Sequence, residues 1–180
     1  MASKSSKTIA IVALITQFLA LLSLAASVIL LATNNYTLTS DNSKTHFYDV
    51  ITFRYVFATG VIAFIYVLIQ IPFTIYLVCT GKRMIRNRCL PEFDYYGDKL
   101  ISLLLASGVG AGLAVTLEFK SLLDGFIEIL AIAGLEGVDE FKSKSSSFLN
   151  RAIISTAILS FSLLCMIILS LISRPFYARK

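Results

Sequence analysis

Charged residues are absent from four long stretches of this chain: between Lys7 and Asp41, Arg54 and Lys82, Lys99 and Glu118, and Arg151 and Arg174. Each gap holds one continuous apolar block. A bilayer-spanning helix needs about 20 apolar residues, because the hydrocarbon core is about 30 Å thick and each helical residue rises about 1.5 Å. The blocks therefore predict transmembrane helices over 8–32, 55–79, 100–117 and 152–173, the third at the lower limit of a span. A membrane barrel would instead show alternating segments of about 10 residues. Helices satisfy their own backbone groups in lipid, so the pattern predicts an all-α membrane protein, a single four-transmembrane-helix bundle over 1–180. The first block is too long for a secretory h-region and runs into Asn34-Asn35-Tyr36-Thr37 rather than a small-residue cleavage site, which predicts a retained helix.

Composition agrees with lipid as the solvent. Of 180 residues, 57% are hydrophobic and 15% charged, too few charges for the water-facing shell of a soluble domain. The net charge of +5 is unevenly placed. Four spans put both termini and the central loop (about 80–99) on one side, with ten basic and three acidic residues there; the outer loops (about 33–54 and 118–151) hold six basic and eight acidic. Basic residues resist translocation, so the termini and the central loop are expected in the cytoplasm. The excess charge then has a membrane explanation, and no nucleic-acid partner is expected. The run Lys82-Arg83-Met84-Ile85-Arg86-Asn87-Arg88 reads as a topology signal that would also be drawn to anionic membrane lipid.

The outer loops hold few candidates for modification or chemistry. Asn35 begins an Asn-Tyr-Thr sequon very close to the membrane end. Cys79 and Cys89 flank the cytoplasmic end of the second span, where palmitoylation occurs, while Cys165 falls inside the fourth; no outer disulfide is expected. His46 stands without a companion at metal-ligand spacing, and no catalytic set, metal cluster or phosphate loop is evident, so neither an enzyme nor a cofactor or metal site is expected. The stretch 122–135 is too short to span and carries Asp124 and Glu128. It reads as an outward continuation of the third helix or a segment on the outer leaflet, followed by a flexible polar connector over 142–147.

Polar and small residues inside the spans predict how the helices pack. Ala13, Thr16, Ala20, Ser23 and Ser27 recur every three or four residues along one seam, with Gln17 beside it; an amide there is expected to find a partner. Gly108 and Gly112 form a small-xxx-small pair that allows close backbone approach, expected within the chain. Pro72 removes one backbone bond from the second helix and is expected to kink it near its cytoplasmic third, with Gln70 next to the break. Asp98 reads as a helix-start acid or a partner of the basic rim at Lys7, Lys82 or Lys99.

Three stretches carry a likeness: residues 54–66 (Arg54-Tyr55-Val56-Phe57-Ala58-Thr59-Gly60 and onward), 96–107 (Tyr96-Gly97-Asp98-Lys99 and onward) and 152–157. They resemble the plant Casparian strip membrane domain proteins, in the broader CASP-like group related to the MARVEL tetraspan proteins. The resemblance covers all four spans. It implies an Arg in the first helix and an Asp at the start of the third; Asp98 matches the second position, while Gln17 occupies the first. The outer loops lack the aromatic, Gln, Trp and Cys signatures of the strip proteins proper. What the resemblance implies is a non-catalytic plasma membrane scaffold that forms homodimers or heterodimers with related membrane proteins. A small channel or transporter subunit is the alternative and would need a continuous polar lining, whereas a claudin-, connexin- or tetraspanin-type junction protein would need outer-loop cysteines.

Overall fold

The structure is a computed structural model that describes residues 2–37, 44–46, 51–80, 89–132 and 138–173. Four helices make it up: α1 (Ala2–Ala32), α2 (Ile51–Thr80), α3 (Cys89–Ile132) and α4 (Val138–Ser173). Each is long and apolar enough to cross a membrane. Between α1 and α2 lies a short antiparallel ribbon, β1 (Asn35–Thr37) with β2 (Lys44–His46), in which Tyr36 faces Thr45. The basic run 82–88 lies outside the described residues.

Each helix packs on its neighbours in sequence, and α1 closes the ring against α4. The interior is filled by side chains from all four, among them Leu24, Phe53, Val67, Leu105, Leu159 and Met166, each less than 2% exposed. The outer face is as apolar as the inner one. Leu22, Ile29, Ile62, Leu103, Ile154 and Leu164 are all exposed. In water such a surface would drive aggregation, but lipid tails are as apolar as Leu, so burial of apolar surface supplies no preference for the interior. Close packing and hydrogen bonds between helices must hold the bundle together.

The third helix runs from Cys89 to Ile132, past 100–117 at both ends, so from residue 122 to Ile132 it continues outward, one of the two readings expected of that stretch. One expectation for the fourth span needs correction. The residues 142–147, read as a flexible connector, are helical and belong to α4, where Ser145 is buried and Phe148 and Leu149 pack inward. Asp124 and Glu128 do not break α3, because a spacing of four puts them near one side of a helix whose Ile127 is buried. Val56 of α2 lies beside Gly112 of α3, and α2 begins at Ile51, so α2 ends alongside residue 117 or thereabouts. From that level α3 continues for about 22 Å by helical rise, with α4 beside it. The result is a helical hairpin that projects past the other two helices on the side of the loop between α1 and α2.

Candidate functional site

The third and second helices meet at a buried carboxylate. Asp98 is 1% exposed. It does not sit in the first turn of its helix, since α3 begins nine residues earlier at Cys89, and the reading as a helix-start acid on an exposed rim is overturned by its burial. Its Oδ1 accepts a hydrogen bond from Tyr66 Oη at 2.9 Å and another from Gln70 Nε2 at 2.9 Å. Tyr66 and Gln70 are four apart on α2 and so lie on one face of it, with Gln70 Nε2 also 3.4 Å from Tyr66 Oη.

Local sequence makes the approach possible. A Cβ on Gly97 would stand 2.5 Å from Tyr66 Oη and 2.9 Å from its Cε2, so the phenol reaches Asp98 only because residue 97 has no side chain. Ser102 Oγ donates to the Asp98 carbonyl at 2.6 Å, one turn along α3. Thr74 Oγ1 donates to the Gln70 carbonyl at 3.3 Å, just past Pro72, where the second helix continues without a break. Lys99, next in sequence, is exposed and rests its Nζ 4.3 Å above the Tyr95 ring. Gln70 keeps one unused group, since its buried Oε1 has no hydrogen-bond partner among the described residues.

The first and fourth helices meet through neutral hydroxyls instead. Ser23 Oγ lies 2.7 Å from Ser162 Oγ. One turn further, Ser27 Oγ donates to the Ser155 carbonyl and Ser155 Oγ donates back to the Ser27 carbonyl, each at 2.9 Å. Asn34 Nδ2 donates to the Phe148 carbonyl at 3.0 Å and extends the ladder to the end of α1. The seam of small residues on α1 is thus its α4 face, with Ala20 and Ser27 buried along it. Gln17 is 2% exposed, but its Oε1 has no partner among the described residues, contrary to the expectation that this amide would find one.

The glycine pair of α3 serves contacts inside the chain. A Cβ on Gly108 would overlap Thr59 Oγ1 of α2 and come within 3.2 Å of Thr59 Cβ, and one on Gly112 would come within 3.1 Å of the Thr156 side chain on α4 and 3.3 Å of Val56 on α2. Tyr55 Oη is hydrogen bonded to Ser107 Oγ on the same flank. Of the modification candidates, Cys79 is an exposed free thiol near the end of α2, Cys89 opens α3 and Asn35 opens β1.

Sequence reasoning found Asp98, the serine seam and the glycine pair, noted Gln70 only as the neighbour of Pro72, and missed Tyr66, Ser155 and Ser162. The signal available was spacing. Tyr66 and Gln70 share a helix face in a span with few polar residues, and Ser155 and Ser162 are seven apart, two turns of one stripe.

Comparison with known proteins agrees with this architecture. Residues 6–122 match the family model described as Casparian strip membrane protein domain. The chain is 37% identical over 159 residues to CASP-like protein 4D2 of Arabidopsis thaliana, covering 87% of this chain and 84% of that protein. It is similarly 36% identical over 163 residues to CASP-like protein 4D1 of Ricinus communis, covering 89% and 88%. A further match, to CASP-like protein 4D1 of Arabidopsis thaliana, is 39% identical over 142 residues and covers 76% of each. No solved structure matches the chain.

Proposed function

The chain belongs to the CASP-like family of membrane proteins, and from that premise we propose that it is a non-enzymatic plasma membrane scaffold, with both termini cytoplasmic, that pairs with itself or with related tetraspan proteins. One observation carries this reading: the bundle uses its polar groups to join its own helices and leaves an apolar stripe on the projecting hairpin. Beyond the level where α2 ends, Phe119, Leu122, Phe126 and Ile129 of α3 are all about half exposed or more, at spacings of three, four and three. Those spacings line one helix face, which is what a helix of a second chain packs against. The sequence asymmetry of ten basic residues against six supports the orientation, with this hairpin outside.

A channel or transporter subunit is less well supported. A conducting path needs polar groups along its length, and the middle of this bundle is closed by Leu24, Val67, Leu105 and Leu159. The test is mass measurement of the 19.8 kDa chain in mild detergent, with crosslinking in intact membranes. The scaffold reading expects a mass of two chains or more, reduced to one by Leu122→Glu with Ile129→Glu, and crosslinks between hairpins. A monomer without crosslinked neighbours, or solute flux in proteoliposomes that the paired substitutions leave unchanged, would overturn it.

A further inference from the structure

On the α4 side of the projecting hairpin, away from the apolar stripe, a cleft of about 320 Å³ opens between the two helices. Lys120, Leu123, Asp124 and Ile127 come from α3, at spacings that line one side of it; Lys142, Ser143, Ser146, Leu149 and Asn150 come from α4 in the same way. The floor is apolar, since Ile127 and Leu149 are buried. Most of the lining surface is apolar, and the exposed side chains of Lys120, Asp124 and Lys142 give it a net positive charge. Among the described residues none of these three is held in an ion pair or hydrogen bond.

The chemistry of these groups restricts the ligand. Two lysines in one cleft favour an anion, and an ammonium offers only donors. Asp124 only accepts, so a bare anion would meet it unfavourably, whereas a ligand with hydroxyl hydrogens would satisfy it. Ser143, Ser146 and Asn150 both donate and accept, as a hydroxyl-rich molecule requires. A volume near 320 Å³ is at the small end of ligand pockets. We propose that this cleft binds a polyhydroxylated carboxylate, a sugar acid of uronate size, free or as the unit of a chain. The carboxylate lies between Lys120 and Lys142, hydroxyls reach Asp124 and the α4 side chains, and the less polar face of the ring covers Leu149. An amino acid is a poorer fit, because its ammonium would use Asp124 and leave the three neutral side chains without matching groups.

The test uses the full chain in detergent micelles, titrated calorimetrically with glucuronate, glucose, glutamate and inorganic phosphate. Saturable glucuronate binding is expected, with glucose far weaker. Lys120→Gln and Lys142→Gln should each weaken glucuronate by about tenfold or more, the effect of losing one charge-assisted hydrogen bond. Both side chains are exposed, so the unliganded thermal midpoint should not move, which separates lost binding from lost fold. No saturable glucuronate binding, binding that both lysine variants retain, or glutamate or phosphate binding as tightly as glucuronate would each overturn the assignment. The mass of the assembly is a separate readout, so failure here leaves the scaffold reading standing and the reverse also holds.

Discussion

The two long seams of the bundle solve the same problem with different chemistry. Where α1 meets α4, the polar contacts are neutral and reciprocal, hydroxyl to hydroxyl and hydroxyl to carbonyl, as at Ser27 and Ser155. Where α2 meets α3, a carboxylate is buried and held by a phenol and an amide. Loss of one neutral bond in a membrane costs little, because the separated helices find other partners; double-mutant measurements average about 0.6 kcal/mol. A buried carboxylate is different. Without these two donors its Oδ1 keeps the cost of leaving water, about 1 to 3 kcal/mol for a buried polar group left unsatisfied and more for a charged one. The serine seam can therefore be changed one residue at a time with small effects, whereas the Asp98 contact behaves as a unit.

The sharpest way to break the comparison is to remove the two donors described at the carboxyl group, Tyr66 and Gln70. Tyr66→Phe with Gln70→Leu should cost about 3 kcal/mol or more of unfolding free energy in mixed micelles, with a loss of delivery to the cell surface. Gly97→Ala should reproduce part of that loss without removing any polar group, because its Cβ would collide with Tyr66 Oη and displace the ring; the same unfolding assay checks it. Next in size is Gly108→Leu, whose side chain overlaps Thr59 and should cost about 1 to 3 kcal/mol as an overpacked contact. Combining it with Thr59→Ala should return some stability, whereas a change in dimer mass with unchanged stability would place the glycine at an interface between chains.

The neutral seam should respond less. A double-mutant cycle of Ser27→Ala and Ser155→Ala should give a coupling of about 0.6 kcal/mol and no more than about 2. A coupling as large as that expected at Asp98 would erase the distinction between the two seams. Smallest of all is Gln17→Leu. Since the Gln17 Oε1 has no partner among the described residues, replacing it with an apolar side chain of similar length should leave stability unchanged or raise it in the same assay.

Much of the bundle was legible because lipid imposes a simple rule. Uncharged runs had to be spans, and small residues every three or four positions had to face a neighbouring helix, as Ser27 and Gly112 do. The helix ends were not legible for a physical reason. Hydropathy reports where lipid begins, but a helix needs only backbone hydrogen bonds, so α3 starts in the polar stretch at Cys89, with Pro91 tolerated in its first turn, and α4 starts at Val138. Placing the start of α3 at residue 100 made Asp98 look like a rim residue. Its true depth follows from Tyr66 and Gln70, which are 32 and 28 positions away in sequence. Likewise 142–147 reads as a polar connector in isolation and becomes a helix because α3 is present beside it to cover Leu149 and its neighbours.

The most direct measurement adds a third change to the largest one. Unfolding free energies of the native chain, of Tyr66→Phe/Gln70→Leu, and of that variant with Asp98→Asn should be compared in the same micelles. If the cost lies in a buried carboxyl group deprived of the Tyr66 and Gln70 donors, Asp98→Asn should restore at least half of what the double substitution lost. A triple variant no more stable than the double one would contradict the account, because removing the acid would then have relieved nothing.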